Sequence, residues 1–146
     1  MIKIKFSKKH SKIFEELGVE TVYLFGSAAQ AKMGPLSDID IGVIFTNPEK
    51  YKNNTMEPYL KLYDIFTDVL PKKYLQKRFQ MKAHEFDLVF LQFAPVNLQF
   101  NAVHNSVILY EKDKEKRMNY QEDVLKRYLD FKYIYDLFHK EFLNRI

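Results

Sequence analysis

The sequence predicts an α/β (α+β) domain spanning residues 1–146, a small sheet of about four strands flanked by helices and closed by a long C-terminal helix. Three observations carry this. At 146 residues the chain is long enough for one core and too short for two. Short apolar runs that read as strands alternate with longer stretches of helical period. From about residue 114 to residue 144 there is neither Gly nor Pro, which leaves one unbroken helix.

Residues 7–18 open with a helix: Ser7 can cap it, Ile13, Phe14 and Leu17 share one face, and Gly18 stops it. A strand follows over about residues 20–25. Ser27 then caps a short alanine-rich helix that Gly34-Pro35 ends. A second strand covers about residues 38–45. Residues 47–55 read as a polar loop, with Pro48 and paired asparagines. Residues 57–70 return to helical period, with Leu60, Tyr63, Ile65, Phe66 and Leu70 apolar, and Pro71 ends them. Residues 86–93 form a third strand, residues 95–105 a short helix and residues 107–111 a fourth strand. The last helix carries Tyr120, Val124, Tyr128, Phe131, Tyr135, Phe138 and Phe142, a stripe wide enough to serve both the core and a docked partner.

Composition narrows the function classes. There is no cysteine, so disulfides and thiolate metal sites are excluded. The opening segment, Met1 to Phe6, is too short and too charged for a signal peptide, and no apolar run approaches bilayer length. The expectation is a cytoplasmic protein that contacts no membrane. Lysines crowd residues 3–12 and 72–82, but net charge is only +4, which argues for solvated faces rather than a dedicated nucleic-acid binder. Of the 13 Phe and 10 Tyr most read as core, and the surplus points to a partner surface.

The chemistry concentrates where two strand ends meet. Gly26-Ser27 closes the run Thr21-Val22-Tyr23-Leu24-Phe25, and Asp38-Ile39-Asp40 opens the next strand after a ten-residue gap. A Gly at a strand end lets backbone approach a ligand closely, and a helix opening at Ser27 offers free N–H groups to an anion. The bland alternative is a turn and a cap. Asp38 and Asp40, two apart on a strand, face one spot, with Ile39, Ile41 and Val43 toward the core and Gly42 leaving space above the sheet. Two such carboxylates repel unless a cation sits between them, and Mg2+ takes oxygen ligands of this kind. The alternative is an exposed edge strand after a Ser-Asp turn. Asp87 interrupts the apolar run of Phe86, Leu88, Val89 and Phe90 and needs a cation, hydrogen bonds or solvent. Beside a metal it could ligate the ion and take an acceptor's proton; otherwise it is a strand-end Asp near a lysine of residues 72–82. The histidines, His10, His84, His104 and His139, show no ligand spacing and read as surface or interface residues.

With Gly26-Ser27, the gap, Asp38-Ile39-Asp40 and the later Asp87 taken together, the chain resembles the nucleotidyltransferases of the DNA polymerase β superfamily. More narrowly, it resembles the minimal nucleotidyltransferase (MNT) group, MntA-like antitoxins that pair with HEPN-domain toxins. The likeness extends through residues 86–89, the strand at 107–110 and Tyr128-Leu129-Asp130-Phe131 in the last helix. It implies a polymerase-β-like fold with a mixed sheet, and transfer of a nucleoside monophosphate from a triphosphate to a hydroxyl. By the resemblance, Asp38 and Asp40 would hold two Mg2+ ions, Asp87 would complete the one that activates the acceptor, and Gly26 and Ser27 would hold the leaving phosphates. The donor would be ATP and the acceptor a tyrosine of the HEPN toxin, in a hetero-oligomer docked on the last helix.

Many relatives carry Arg and Gly three and four residues after the Ser; here these are Gln30 and Ala31, so one cation near the triphosphate is missing. Two alternatives follow: a module that neutralises its partner by contact alone, and a nucleotidyltransferase for a small molecule such as an antibiotic.

Overall fold

A computed structural model of the chain describes residues 4–26, 39–70 and 86–145. Helix α1 spans Lys8–Leu17. It starts with a reciprocal cap, in which the Ser7 hydroxyl accepts from the His10 N–H and the Ser7 N–H donates to His10 Nδ1, both at 3.2 Å. It ends at Gly18, which takes the left-handed conformation at φ 74°. His10 is thus a half-buried capping residue rather than a free surface histidine.

Strands β1 (Val19–Phe25), β2 (Asp40–Phe45), β3 (Asp87–Phe90) and β4 (Val107–Glu111) form one mixed sheet in the order β3-β2-β1-β4. β1 pairs antiparallel with β2 and β4, and β2 pairs parallel with β3. β2 is therefore an inner strand, which removes the exposed-edge alternative. Alternation divides its residues between two layers. Ile41, Val43 and Phe45 join Val22 and Leu24 of β1 under α1 and α2 (Met56–Val69), against Phe14, Leu62, Ile65 and Phe66. Ile44 of β2 packs on the opposite face with Tyr23, Phe25, Leu91 and Ala102, beneath α3 (Val96–His104) and the 31-residue α4 (Lys114–Asn144).

Two segments depart from the sequence expectation. Residues 47–55 contain a 3-10 turn, Pro48–Tyr51, rather than a plain polar loop. Tyr51 is buried, its ring lies 4.8 Å from that of Phe45, and its hydroxyl donates to the Leu17 carbonyl at 2.6 Å. β3 stops at Phe90, because residues 91–93 turn into a 3-10 segment. The Gln92 side chain then stands in for the missing strand: Oε1 accepts from Phe45 N–H at 2.8 Å and Nε2 donates to the Phe45 carbonyl at 2.9 Å. This satisfies the ladder groups of β2 that a longer β3 would have paired.

α4 begins at an Asp113 cap whose carboxylate accepts from the N–H groups of Glu115 and Lys116. Among the described residues its first half packs against the body. Val124 is fully buried and Tyr128 stacks on Phe100 of α3 with centroids 3.9 Å apart. No helix among the described residues is long and apolar enough to cross a membrane.

Candidate active site

Three strand ends meet at one end of the sheet. Phe25 of β1 is opposite Asp40, and Asp40 is opposite Asp87 in the parallel pairing of β2 with β3. The Asp87 N–H donates to the Ile39 carbonyl at 2.8 Å, which fixes this register at the strands' first residues. Residues opposite one another on paired strands project from the same face, about 4.8 Å apart in the pairing direction. Asp40 and Asp87 therefore stand side by side, Asp40 half-buried and Asp87 exposed to solvent. The exposure answers the cost of placing a carboxylate in an apolar run, since Asp87 sits at the strand's mouth.

Gly26 forms the floor. Its φ is 74°, a conformation that suits glycine, and a Cβ built on it would lie 2.3 Å from Asp40 Oδ2. The carboxylate thus occupies the space that any other residue at position 26 would fill. Two residues along β2, the expected opening above Gly42 is closed. A Cβ there would meet Leu91 Cδ1 at 2.7 Å, because the 3-10 segment after β3 folds Leu91 down onto the strand. Leu91 thus walls the site on the side away from the strand ends, a role the sequence signals only as one more apolar residue in a run.

Of the predicted site residues, Gly26, Asp40 and Asp87 are brought together. Ser27 and Asp38, with Gln30, Ala31 and the lysines of 72–82, lie outside the described residues. Among the described residues no group of three or more acids or histidines gathers around one point. The pair that is present suits a hard divalent cation: adjacent carboxylates, oxygen donors only, over a backbone bend that carries no side chain. Asp40 and Asp87 would hold such an ion between them.

Behind the site, on the same face, a polar cluster ties α3 to α4. The Tyr120 hydroxyl donates to Gln99 Oε1 at 2.7 Å, and Gln99 Nε2 donates to the Ala94 carbonyl at 2.8 Å. Burial pushes the Tyr120 and Tyr23 phenols well above the ordinary tyrosine value; nearby Arg127 and Arg117, respectively, pull the other way. Both remain neutral and structural at physiological pH.

Residues 8–115, well over half of the chain, match the family model of polymerase beta nucleotidyltransferases. The chain belongs to the polymerase beta nucleotidyltransferase family. No curated protein matches it by sequence. Solved structures show the same fold. A crystal structure of a toxin-antitoxin with AMP-PNP matches with a TM-score of 0.65 and 17% identity over 91% of this chain and 94% of that one. A tri-AMPylated Shewanella oneidensis HEPN toxin in complex with MNT antitoxin gives 0.60 and 16%, over 92% and 93% of the two chains. A toxin-antitoxin MntA-HepT crystal structure gives 0.59 and 16%, over 92% and 94%. These overlaps extend beyond residues 8–115, so in this nucleotidyltransferase the shared fold takes in part of α4.

Proposed function

We propose that this nucleotidyltransferase transfers AMP from ATP to a tyrosine of a HEPN-domain toxin and thereby acts as its antitoxin in the cytoplasm. The observation that carries the reading is the in-register pair Asp40 and Asp87 over the side-chain-free bend at Gly26. The family membership supports nucleotidyl transfer, and the toxin-antitoxin complexes of the same fold support the acceptor.

In this reading the tyrosine oxygen bonds to the α-phosphorus while that phosphorus loses its bond to the oxygen bridging to the β-phosphate. Pyrophosphate leaves, and the tyrosine proton passes to the carboxylate of Asp87, the exposed member of the pair. Asp40, with Asp38 two positions before it in the sequence, fixes the triphosphate, and Gly26 and Ser27 receive the leaving phosphates. Bound Mg2+ supplies charge neutralisation to the triphosphate and its leaving group.

The test is incorporation of label from α-32P ATP with Mg2+ into a co-expressed HEPN-domain toxin. Wild type labels a toxin tyrosine, and Asp40→Ala does not. A second reading, neutralisation by contact alone, is favoured by the solvent-exposed apolar half of α4. It predicts that Asp40→Ala neutralises the toxin as well as wild type without labelling it.

A further inference from the structure

β3 carries Asp87 and is only four residues long, Asp87–Phe90, paired in parallel with β2. Parallel pairing is the weaker kind per residue. Two things fix a strand on its neighbour: the face its side chains take and the residue each one stands opposite. Alternation settles the first. Leu88 packs into the core under α1 and α2, so a slip of one residue would throw it across to the face of the carboxylates. A slip of two residues keeps every side chain on its face, yet it would carry Asp87 from Asp40 to Gly42, about 7 Å away. Apolar packing discriminates poorly between such registers, because it has no direction.

Hydrogen bonds do discriminate, and the segment has them at both ends. At the start, the Asp87 N–H donates to the Ile39 carbonyl at 2.8 Å. Past the far end, the Gln92 amide takes both backbone groups of Phe45, accepting from the N–H at 2.8 Å and donating to the carbonyl at 2.9 Å. A primary amide sets a donor and an acceptor side by side, which matches the pair that one strand residue turns toward its neighbour. The two-residue slip would bring Gln92 opposite Asn47, beyond the end of β2 at Phe45, and both bonds would be lost. Gln92 thus grips β2 at the end away from Asp40, roughly 17 Å along the strand.

We propose that Gln92 is the positioning residue for Asp87: its amide fork on Phe45 holds β3 in the register that sets Asp87 beside Asp40. This rests on the reading that Asp87 takes the acceptor's proton. Asp40 keeps its own place without the fork, because β2 is also paired with β1, where Asp40 stands opposite Phe25. Loss of the fork therefore reaches proton transfer and spares the hold of Asp40 on the triphosphate.

The experiment uses the full chain with ATP, Mg2+ and a HEPN-domain toxin, and reads both AMP transfer and hydrogen exchange of the Asp87 amide by NMR. Gln92→Met keeps the length of the side chain and loses both hydrogen bonds. It is expected to speed Asp87 exchange by at least about tenfold. It should lower kcat by about a hundredfold, with KM for ATP within about twofold of wild type. In an Asp87→Asn background the same substitution lowers kcat no further, since residues that act as one unit are not additive. Tyr51→Phe, which drops a hydrogen bond to the Leu17 carbonyl away from β3, moves neither Asp87 exchange nor kcat. Gln92→Glu, which keeps the acceptor and loses the donor at neutral pH, takes the place of Gln92→Met if that variant fails to fold. Unchanged Asp87 exchange in the folded Gln92 variant overturns the proposal. So does a kcat no lower than that of Tyr51→Phe, or a further hundredfold loss on top of Asp87→Asn. Wild type that transfers no AMP removes the catalytic reading; faster Asp87 exchange in the Gln92 variant then upholds the register role, and unchanged exchange overturns it.

Discussion

Gly26 and Asp40 are locked together: the Asp40 carboxylate fills the position that a Cβ on residue 26 would need, 2.3 Å from Oδ2. Substitution at this glycine therefore acts on the carboxylate as well as on the backbone. Gly18 provides the control, since it has the same φ of 74° and nothing within 4 Å of its would-be Cβ. Gly18→Ala should cost only the left-handed backbone penalty, about 1–2 kcal/mol, with AMP transfer unchanged. Gly26→Ala should cost at least as much stability and lower transfer by about a hundredfold or more, because Asp40 must move. Thermal unfolding and labelled-ATP assays on the two variants separate backbone strain from displacement of the carboxylate; equal activity in both would show that Asp40 tolerates the shift.

Asp40 and Asp87 share a face but differ in setting, and their variants should differ accordingly. Asp87 is exposed at the first residue of β3, so Asp87→Asn should leave the unfolding midpoint within about 0.5 kcal/mol of wild type. Transfer should fall by about 10²–10⁴-fold, the usual contribution of a positioned proton acceptor. Asp40→Asn should abolish transfer as well, with weakened affinity for the triphosphate in the presence of Mg2+. Calorimetric titration with a non-hydrolysable ATP analogue checks the second point; unchanged affinity in Asp40→Asn would remove Asp40 from the binding of the triphosphate.

The parts of this architecture that depend on local signals were legible in the sequence. Ser7 and Gly18 bound α1 because capping is local chemistry, and α4 runs over Lys114–Asn144 because nothing within it can break a helix. Gly26, Asp40 and Asp87 were legible as strand-end residues because apolar runs and Gly turns leave local marks, whereas the pairing that sets Asp40 beside Asp87 leaves none. What depends on distant contacts was not. Nothing local reveals that the Gln92 amide would replace a strand against Phe45, 47 positions away, and so shorten β3. Nor does a polar loop betray that Tyr51 reaches the Leu17 carbonyl, or a run of apolar residues that Leu91 would close the space over Gly42. The roles expected of Ser27 and Asp38 rest on sequence, since both lie outside the described residues.

Gly42 and Leu91 form a matched pair, and a double-mutant cycle should expose it. A Cβ at residue 42 would approach Leu91 Cδ1 to 2.7 Å, and Leu91 is fully buried. Gly42→Ala alone should destabilise by about 1–3 kcal/mol through overpacking. Leu91→Ala alone should cost about 2–5 kcal/mol through the cavity it leaves. The double variant should be more stable than the sum of the two predicts, by about 0.5–3 kcal/mol, because the new methyl enters space that the leucine vacates. Denaturant unfolding of the four proteins measures the coupling; strict additivity would mean that Leu91 can step aside at no cost.

Tyr120 and Tyr23 lie in one buried cluster and should respond oppositely to loss of the hydroxyl. The Tyr120 hydroxyl donates to Gln99 Oε1, so Tyr120→Phe should cost about 0.5–1.5 kcal/mol. The Tyr23 hydroxyl is buried without a hydrogen-bond partner among the described residues, so Tyr23→Phe should be neutral or stabilising by up to about 1 kcal/mol. Both phenols are raised by burial from the ordinary value of 10.0, which means that the fold favours their neutral forms. Their contribution to stability is therefore fully present below pH 10 and is lost as pH climbs from there toward the raised values, because the unfolded chain gives up these protons first. Thermal midpoints measured between neutral pH and strongly alkaline solution should fall more steeply for wild type than for either phenylalanine variant. A wild-type slope no steeper than that of the Tyr23→Phe, Tyr120→Phe double variant would assign the alkaline loss to other groups.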